Sequence, residues 1–365
     1  MKIIYSYLLK EFFKYLVAAL VSLAVFYIVV DFISNIGAFT KHAPDAGYIF
    51  LYYLYKLPEI MYRVLPLSVL LSTLLLIGFL KKNNEIVIIK SSGMGMFKFF
   101  TPLFFAGAAI SILAFLLSNF VAVRANVLRK VVMQKYITGN KSYDINSVYM
   151  FKTKNIVLHY KEYIITAKSF VPAEKKMKGI NIYVFNPDFS LNRRYIAPAG
   201  YVGKRRLLLK GGRLDKFIDE GKKGFEEKHF EKAYVPVSLN MNFFKSYTLK
   251  PEFLSLENLA SMLSVAEKSG SGINYILTNI YSKISYPLIN LILILVGVSV
   301  GFAIKEKTGS GAAIGISLVV AFIWWIINSI AVSLGDASQL DPLLAGFMAD
   351  IIFLFFAAYL IMDID

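Results

Sequence analysis

Long runs of apolar residues fill both ends of the chain, and each run is long enough to form a membrane-spanning helix. A helix needs about 20 mainly apolar residues to cross the hydrocarbon core of a bilayer. Three runs precede a more polar central segment and three follow it. They cover residues 12–34, 57–80, 97–121, 280–304, 311–334 and 343–361. The pattern predicts six transmembrane helices in a three-plus-three arrangement.

Lysines in the short connections predict the orientation of these helices. Connections that face the cytoplasm carry more Lys and Arg than those on the opposite side. The lysines on one side are Lys2, Lys10, Lys14, Lys81, Lys82, Lys90, Lys98, Lys305 and Lys307. The opposite short connections hold only Lys41 and Lys56. We therefore expect both termini in the cytoplasm and the central segment on the extracytoplasmic side.

The central segment changes from helical spacing to alternation. Ile180, Ile182 and Val184 alternate with other residues, which is typical of a strand with one buried face. Similar short runs recur between residues 155 and 239, with turn-forming residues between them. This pattern favours a β-sandwich or an open barrel. Helical spacing returns at about 255–268, where Ser255 is suited to cap a helix.

The chain thus divides into residues 1–121 with helices one to three, residues 122–279, and residues 280–365 with helices four to six. Within the middle part we expect a β domain at about 142–244 and a connecting helix at about 255–268. The predicted fold class is a polytopic α-helical membrane protein with six transmembrane helices and an inserted extracytoplasmic β domain.

Composition and charge narrow the classes of function. Hydrophobic residues make up 57% of the chain and charged residues 18%, against about 25% charged residues in soluble domains. The absence of cysteine excludes a disulfide scaffold and thiol chemistry, and three histidines argue against a metal site. Residues 122–279 hold 27 Lys and Arg against 13 Asp and Glu, a net of +14 out of the total of +16. Because this basic segment is predicted to face away from the cytoplasm, we expect no nucleic-acid partner.

The connection between helices two and three has the features of a short helix. Asn84 is a suitable amino-terminal cap, Glu85 favours the first turn, and Gly93 is suited to end the helix. Ile86 and Ile89 would give it an apolar face. Two interpretations stay open: a connection lying on the membrane surface, or a docking helix for a cytoplasmic partner.

Ionisable residues near the extracytoplasmic ends of the helices are candidates for binding an anionic headgroup. The basic ones are Arg63, Arg124, Arg129 and Lys130. A solvated helix face is the alternative interpretation, although arginine suits phosphate geometrically. Glu59 can pair with Arg63 four residues later. Asp31 ends helix one, whereas Asp350 lies well inside helix six, where the sequence indicates no partner for it.

Prolines and glycines within the spans predict local departures from regular helix packing. Pro58 and Pro66 in helix two and Pro287 in helix four predict kinks or local gaps. Two pairs of glycines have the spacing of close helix contacts, Gly297 with Gly301 and Gly311 with Gly315.

Several segments together resemble the LptF/LptG (YjgP/YjgQ) permease family. They are Leu57-Pro58-Glu59-Ile60, Leu65-Pro66-Leu67, Asn84-Glu85-Ile86-Val87 and Ser92-Gly93. Residues 7–11 resemble the amino-terminal interfacial helix of that family, and the three-plus-three arrangement matches along the whole chain. Residues 179–186 and 281–287 are more similar to its LptG branch than to its LptF branch.

The resemblance implies a permease subunit of an ABC-type transporter that extracts lipopolysaccharide from the bacterial inner membrane. An LptF-like paralogue would pair with the chain, two LptB-like ATPase subunits would bind it, and LptC-like and LptA-like proteins would receive the lipid. The β domain would be a periplasmic β-jellyroll. The sequence contains no G-x-x-x-x-G-K-[ST] motif. We therefore expect no cofactor in this chain, with ATP and Mg²⁺ bound by the partner ATPase.

The resemblance also implies roles for particular residues. Residues 84–93 would form the coupling helix, with Glu85 in a groove of the ATPase, and helices one and five would form lateral gates. The lipid phosphates would be bound by Arg63, Arg124, Arg129 and Lys130. Asp31 and Glu59 depart from the family pattern, which places more positive charge near the tops of helices one and two.

Two other classes of function stay open at this point. A membrane-anchored scaffold whose basic β domain binds anionic lipid or glycan would explain the charge, but not the short helix at 84–93. An intramembrane enzyme acting on lipid would need Asp350 or Glu59 as its catalytic group. The sequence shows no nucleophile and base arranged for such a reaction, so we expect no catalytic residue.

Overall fold

The computed structural model describes residues 2–140, 143, 156–160, 162–171, 175–203, 206–217, 225–237, 254–269, 272–303 and 310–362. The chain forms two compact units. Met1–Gly139 and Leu277–Asp365 make up a helical unit, and Asn140–Ile276 make up the unit that contains the sheet. Lys305 and Lys307, which contribute to the predicted orientation, lie outside the described residues.

Six of the described helices are long and apolar enough to cross a membrane, three before the sheet and three after it, as the sequence predicts. The helices are α1 (Lys2–His42), α2 (Ala46–Lys82), α3 (Glu85–Ser91), α4 (Met96–Leu116), α5 (Val123–Val131), α6 (Leu256–Ser269), α7 (Ile273–Ala303), α8 (Ser310–Asp336) and α9 (Pro342–Ile361). The π-helical segment π1 (Leu117–Ala122) joins α4 to α5, and a second one, π2 (Val132–Ile137), continues α5 to Ile137. We call the end of the helical unit that holds α3 the lower end, and the end that holds residues 43–45 the upper end.

The helices extend further than the apolar runs from which they were predicted. Residues 7–11 do not form a separate interfacial helix, because they belong to the single 41-residue helix α1. The second helix begins at Ala46, where the Asp45 carboxylate accepts a hydrogen bond from the Gly47 N–H at 2.7 Å. The third continues from the membrane span to Ile137. Apolarity marks the part of a helix that crosses lipid, whereas hydrogen bonding and caps decide where the helix ends.

Small residues let α7 pack closely against α2. A Cβ atom on Gly297 would lie 2.8 Å from the side chain of Thr73, and one on Gly301 would lie 2.8 Å from that of Ile77. The predicted close contact at this pair of glycines is therefore confirmed. The second pair does not pack inside this chain, since a Cβ atom on Gly311 or Gly315 would meet no described atom within 4 Å.

The second unit contains one antiparallel sheet in which each strand pairs with its neighbours in sequence. The strands are β1 (Ile156–Tyr160), β2 (Tyr163–Val171), β3 (Lys176–Phe185), β4 (Leu191–Val202), β5 (Leu207–Phe217) and β6 (Phe225–Val235). Ile180 and Ile182 are fully buried, and Ile182 lies opposite Ile165 of β2. The alternation in the sequence therefore correctly predicts which face of β3 is buried. The connecting helix α6 begins after Ser255, whose hydroxyl accepts a hydrogen bond from the Asn258 N–H at 3.3 Å.

We predict that Gly297→Val destabilises the helical unit, because the added methyl groups must displace Thr73 and so push α7 away from α2. Overpacking of this kind costs about 1–3 kcal/mol. Gly315→Val makes the same change where the chain leaves open space. Thermal unfolding of the isolated chain in detergent should show a lower midpoint for the first variant only. Equal midpoints for the two variants would contradict the assigned packing.

Candidate functional site

The short helix α3 lies at the lower end between two tight turns. Asn84 precedes it in the left-handed conformation, with φ of 57°, and its side chain makes no capping hydrogen bond. The prediction of a side-chain cap at Asn84 is therefore wrong, because a left-handed residue turns its side chain away from the first N–H groups of the helix. Gly93 ends the turn as expected, with φ of 75° and its N–H donating to the Lys90 carbonyl at 3.0 Å.

One face of α3 packs on the helical unit and the other is open. Ile86 is buried and Ile89 packs beside it, both against a cluster that includes Leu8 and Phe12 of α1. Val87 and Ile88 are 56% and 64% exposed. The sequence correctly predicts Ile86 and Ile89 as an apolar face, but that face is directed inward. Ile86 and Ile89 are three residues apart and share the inward side of this short helix. The apolar surface available to a partner therefore belongs to Val87 and Ile88.

The carboxylate of Glu85 is held by side chains on either side of it. The Tyr7 hydroxyl of α1 donates to Glu85 Oε1 at 3.0 Å, and Asn83 Nδ2 donates to the same oxygen at 3.3 Å. Sequence reasoning missed Tyr7, which is 78 residues away in the chain. A tyrosine in a helix that also carries Leu8 and Phe12 gives no local sign that its hydroxyl reaches another helix.

Two lysines connect the same region to α7. Lys81 Nζ donates to the Phe302 carbonyl at 2.9 Å. The ammonium groups of Lys81 and Lys90 lie 5.7 Å and 5.8 Å from the centre of the Phe302 ring. Cations at this distance from a ring face are attracted by its quadrupole. The lower end therefore joins α1, α2, α3 and α7 through polar contacts around one short helix.

At the upper end, a buried ion pair joins α1 to α2. The Lys56 ammonium group binds the Asp31 carboxylate, which also accepts hydrogen bonds from Tyr53 and Asn35, each at 3.2 Å. Lys56 is 6% exposed, and its ammonium group lies 5.5 Å from the centre of the Tyr52 ring. The sequence indicates no partner for Lys56, because no spacing rule links it to Asp31, which is 25 residues away on a different helix.

Glu59 is the centre of a second ion-pair group at the same end. It pairs with Arg63 at 2.8 Å, which confirms the predicted contact between residues four apart, and with Arg129 of α5 at 3.4 Å. Arg129 also lies against Tyr52, its Nη1 3.5 Å from the hydroxyl, and its Nε donates to Asn126 at 3.2 Å. Two of the four predicted phosphate ligands, Arg63 and Arg129, are thus brought together on one carboxylate.

The other two predicted phosphate ligands lie on α5 as well. Arg124 is exposed and Lys130 is half-buried. The π-helical segments on either side of α5 change the rotation of the helix relative to a regular one, and such segments are frequent at functional sites. The cations of the upper end therefore include Lys56, Arg63, Arg124, Arg129 and Lys130, of which Lys56 pairs with Asp31, and Arg63 and Arg129 pair with Glu59.

Asp350 has a partner that the sequence did not reveal. It is 5% exposed, and Trp324 Nε1 of α8 donates to its Oδ1 at 3.2 Å. The Trp324 ring packs edge-on against Tyr286, with centroids 5.3 Å apart. The Trp324 indole therefore binds Asp350, and Arg63 and Arg129 bind Glu59. Among the described residues, no nucleophilic side chain is hydrogen-bonded to either carboxylate. The arrangement does not support the intramembrane-enzyme interpretation.

The three prolines predicted as kinks lie inside helices that continue through them, Pro58 and Pro66 in α2 and Pro287 in α7. Asn290 Nδ2 donates to the Pro287 carbonyl at 2.8 Å.

Two of the spans, α1 and α8, are little covered by the rest of the chain. The most apolar stretch of each is only 17% buried, against 61% for α2. Large apolar faces of α1 and α8 are therefore directed away from the rest of the chain.

Comparisons with known proteins agree with this architecture. A sequence model of the family described as lipopolysaccharide export system permease LptF/LptG matches residues 6–363. The lipopolysaccharide export system permease protein LptG of Escherichia coli (strain K12) is 20% identical over 344 residues, which cover 94% of this chain and 92% of that protein. The LptG protein of Haemophilus influenzae is 19% identical over 326 residues, covering 89% and 88% of the two chains. The resemblance drawn from the sequence is confirmed.

We predict that Lys56→Met destabilises the helical unit, because it leaves the Asp31 carboxylate without its cation in a largely buried position. Breaking a buried pair in this way costs about 3 kcal/mol. The double variant Asp31→Asn with Lys56→Met should recover most of the loss, and Lys41→Met, at an exposed position, should change little. Thermal unfolding of the four proteins in detergent measures this. A double variant no more stable than Lys56→Met would show that the pair does not form.

Proposed function

The chain belongs to the LptF/LptG family of lipopolysaccharide export permeases, and from this membership we propose that it is the LptG-like permease subunit of an ATP-driven lipopolysaccharide transporter. The observation that carries the proposal is the family match along residues 6–363, together with six spans and an inserted β domain. The family is a permease component and not itself a catalytic enzyme. The energy for transport comes from a separate ATPase.

The lower end of the chain faces the cytoplasm in this proposal and receives the ATPase on α3. Lysines concentrated at this end support that orientation. Val87 and Ile88 supply an exposed apolar contact, and Glu85 lies at the start of the helix beside them. One subunit of an LptB-like dimer would bind here, and the other would bind the equivalent helix of an LptF-like partner.

The upper end and the β domain lie on the periplasmic side. Lipopolysaccharide carries phosphates above several acyl chains, so its binding site must combine cations with an apolar cavity. Arg124 and Lys130, with Arg63 and Arg129 beside Glu59, supply the cations. The exposed apolar faces of α1 and α8 supply walls and lateral gates where this chain meets its LptF-like partner. The β domain then passes the lipid to LptC-like and LptA-like proteins.

Transport follows from differential affinity between two states of this site. A ligand shifts an equilibrium only to the extent that it binds one state better than the other. The open cavity binds the acyl chains and the phosphates together. ATP-driven closure of the ATPase subunits moves α3, narrows the cavity and removes the space for the chains, so the lipid is released on the periplasmic side.

The docking role of α3 predicts that Ile88→Asp prevents the ATPase from binding, because it places a charge in the centre of the apolar contact. Ile3→Asp is the matched control, since Ile3 is an exposed isoleucine at the same end of the chain. The ATPase should co-purify with the parent and with the control in mild detergent, but not with Ile88→Asp. If neither the parent nor either variant retains an ATPase, the result favours the scaffold interpretation over the transporter.

The phosphate-binding role predicts that Arg124→Gln weakens lipopolysaccharide binding by about tenfold, since a charge-assisted hydrogen bond contributes roughly 1.5–3 kcal/mol. Lys232→Gln, an exposed position on β6, serves as the control. Binding of fluorescent lipopolysaccharide to the purified complex in nanodiscs measures the effect, and a dephosphorylated lipid should reduce the difference between the proteins. Equal affinities for Arg124→Gln and the parent would remove Arg124 from the site.

A further inference from the structure

The contact between Tyr7 and Glu85 joins the proposed docking helix to the first transmembrane helix. The Tyr7 hydroxyl donates to Glu85 Oε1 at 3.0 Å, and hydrogen bonds to a carboxylate are among the stronger ones in proteins. The neighbouring apolar contacts of Ile86 and Ile89 hold α3 against the helical unit but do not fix its direction. A directional link therefore exists between α3 and the lower end of α1.

From this link, α1 runs without interruption to the upper end. It has 41 residues and contains no proline. At 1.5 Å per residue, Tyr7 and Asp31 are about 36 Å apart along one helix. The routes from α3 through α2 and α7 pass prolines, Pro58 and Pro66 in α2 and Pro287 in α7, each of which removes a hydrogen bond from the helix interior. The first helix is therefore the stiffer connection between the two ends.

The far end of α1 is bound by the buried pair of Asp31 with Lys56 on α2. Most of α1 between the two links faces away from the rest of the chain, since its most apolar window is only 17% buried. The inner face of α1 packs on the helical unit through Phe12, Leu16 and Ala24, and polar contacts hold it near both ends. Because α1 is one continuous helix, a displacement at its lower end can be carried to its upper end.

We propose that Tyr7 is a positioning residue that passes the displacement of α3 to α1, so that closure of the ATPase separates Asp31 from Lys56 and moves the upper end of α1. The inference rests on the proposed transport function and specifies how its two ends communicate. Tyr7 touches neither lipid nor nucleotide in this scheme, and it acts through Glu85.

The test compares Tyr7→Phe with Tyr5→Phe in the complete transporter in nanodiscs. Both changes remove one hydroxyl from α1, but the Tyr5 hydroxyl donates to the Lys98 carbonyl of α4 at 3.2 Å, not to α3. Tyr7→Phe should keep complex stoichiometry and hydrolyse ATP within about twofold of the parent rate. It should release at least about fivefold less lipopolysaccharide per ATP hydrolysed, whereas Tyr5→Phe should match the parent.

A distance measurement separates transmission from general destabilisation. The chain contains no cysteine, so Ile36→Cys on α1 and Gln339→Cys in the connection between α8 and α9 give two unique spin-label sites at the upper end, provided the other subunits also lack cysteine. The distance between them should change between nucleotide-free and vanadate-trapped states in the parent and in Tyr5→Phe, but not in Tyr7→Phe.

The outcomes distinguish the two levels of the proposal. A parent complex without ATP-dependent lipid release would overturn the proposed function and this inference with it. If the parent releases lipid, and Tyr7→Phe matches it in lipid released per ATP or in the nucleotide-dependent distance change, the inference alone is overturned.

Discussion

The constraint on which this structure depends is that a peptide group in lipid has no water to bind. Every backbone N–H and C=O within the hydrocarbon must find its partner inside the protein, which leaves helices as the spanning elements of this chain. Six long helices follow from this requirement, and so does the position of the irregular backbone at their ends. The strands, whose alternation requires one face in water, occupy a separate unit.

The same constraint explains why ionisable side chains near the spans are paired. Asp31 binds Lys56, Glu59 binds Arg63 and Arg129, and Asp350 accepts from Trp324. With the exception of Glu59 with Arg63, these contacts join different helices, so each satisfies a costly group and also fixes the position of one helix against another. At the upper end they gather on α1, α2 and α5. Two of the residues proposed to bind phosphate, Arg63 and Arg129, therefore also pair with Glu59, and the Arg129 pair holds α2 against α5.

The helical unit combines a tightly packed centre with loosely held outer helices. Glycines bring α7 against α2, and both are buried over much of their length. In α1 and α8 only 17% of the most apolar stretch is buried, so each helix directs a large apolar face away from the rest of the chain. This arrangement suits a permease half, because the centre keeps the site in shape while the outer helices are free to meet a partner subunit and to move. In the proposed transporter, the short helix α3, attached to α1 and α7, would give the ATPase access to that movement.

The sequence by itself determined the number of spans, the place and buried face of the sheet, the short helix and the family, because each of these follows from local periodicity or from a contiguous motif. It also determined the pair of Glu59 with Arg63, since four residues make one helical turn. Only the tertiary structure decided that Ile86 and Ile89 point inward, that Asn84 does not cap α3, and that residues 7–11 continue into α1. The partners Tyr7, Lys56 and Trp324 likewise emerged only from the fold. Each meets its acidic group on a different helix, and a contact of that kind depends on packing angles and rotations that no spacing in the sequence encodes.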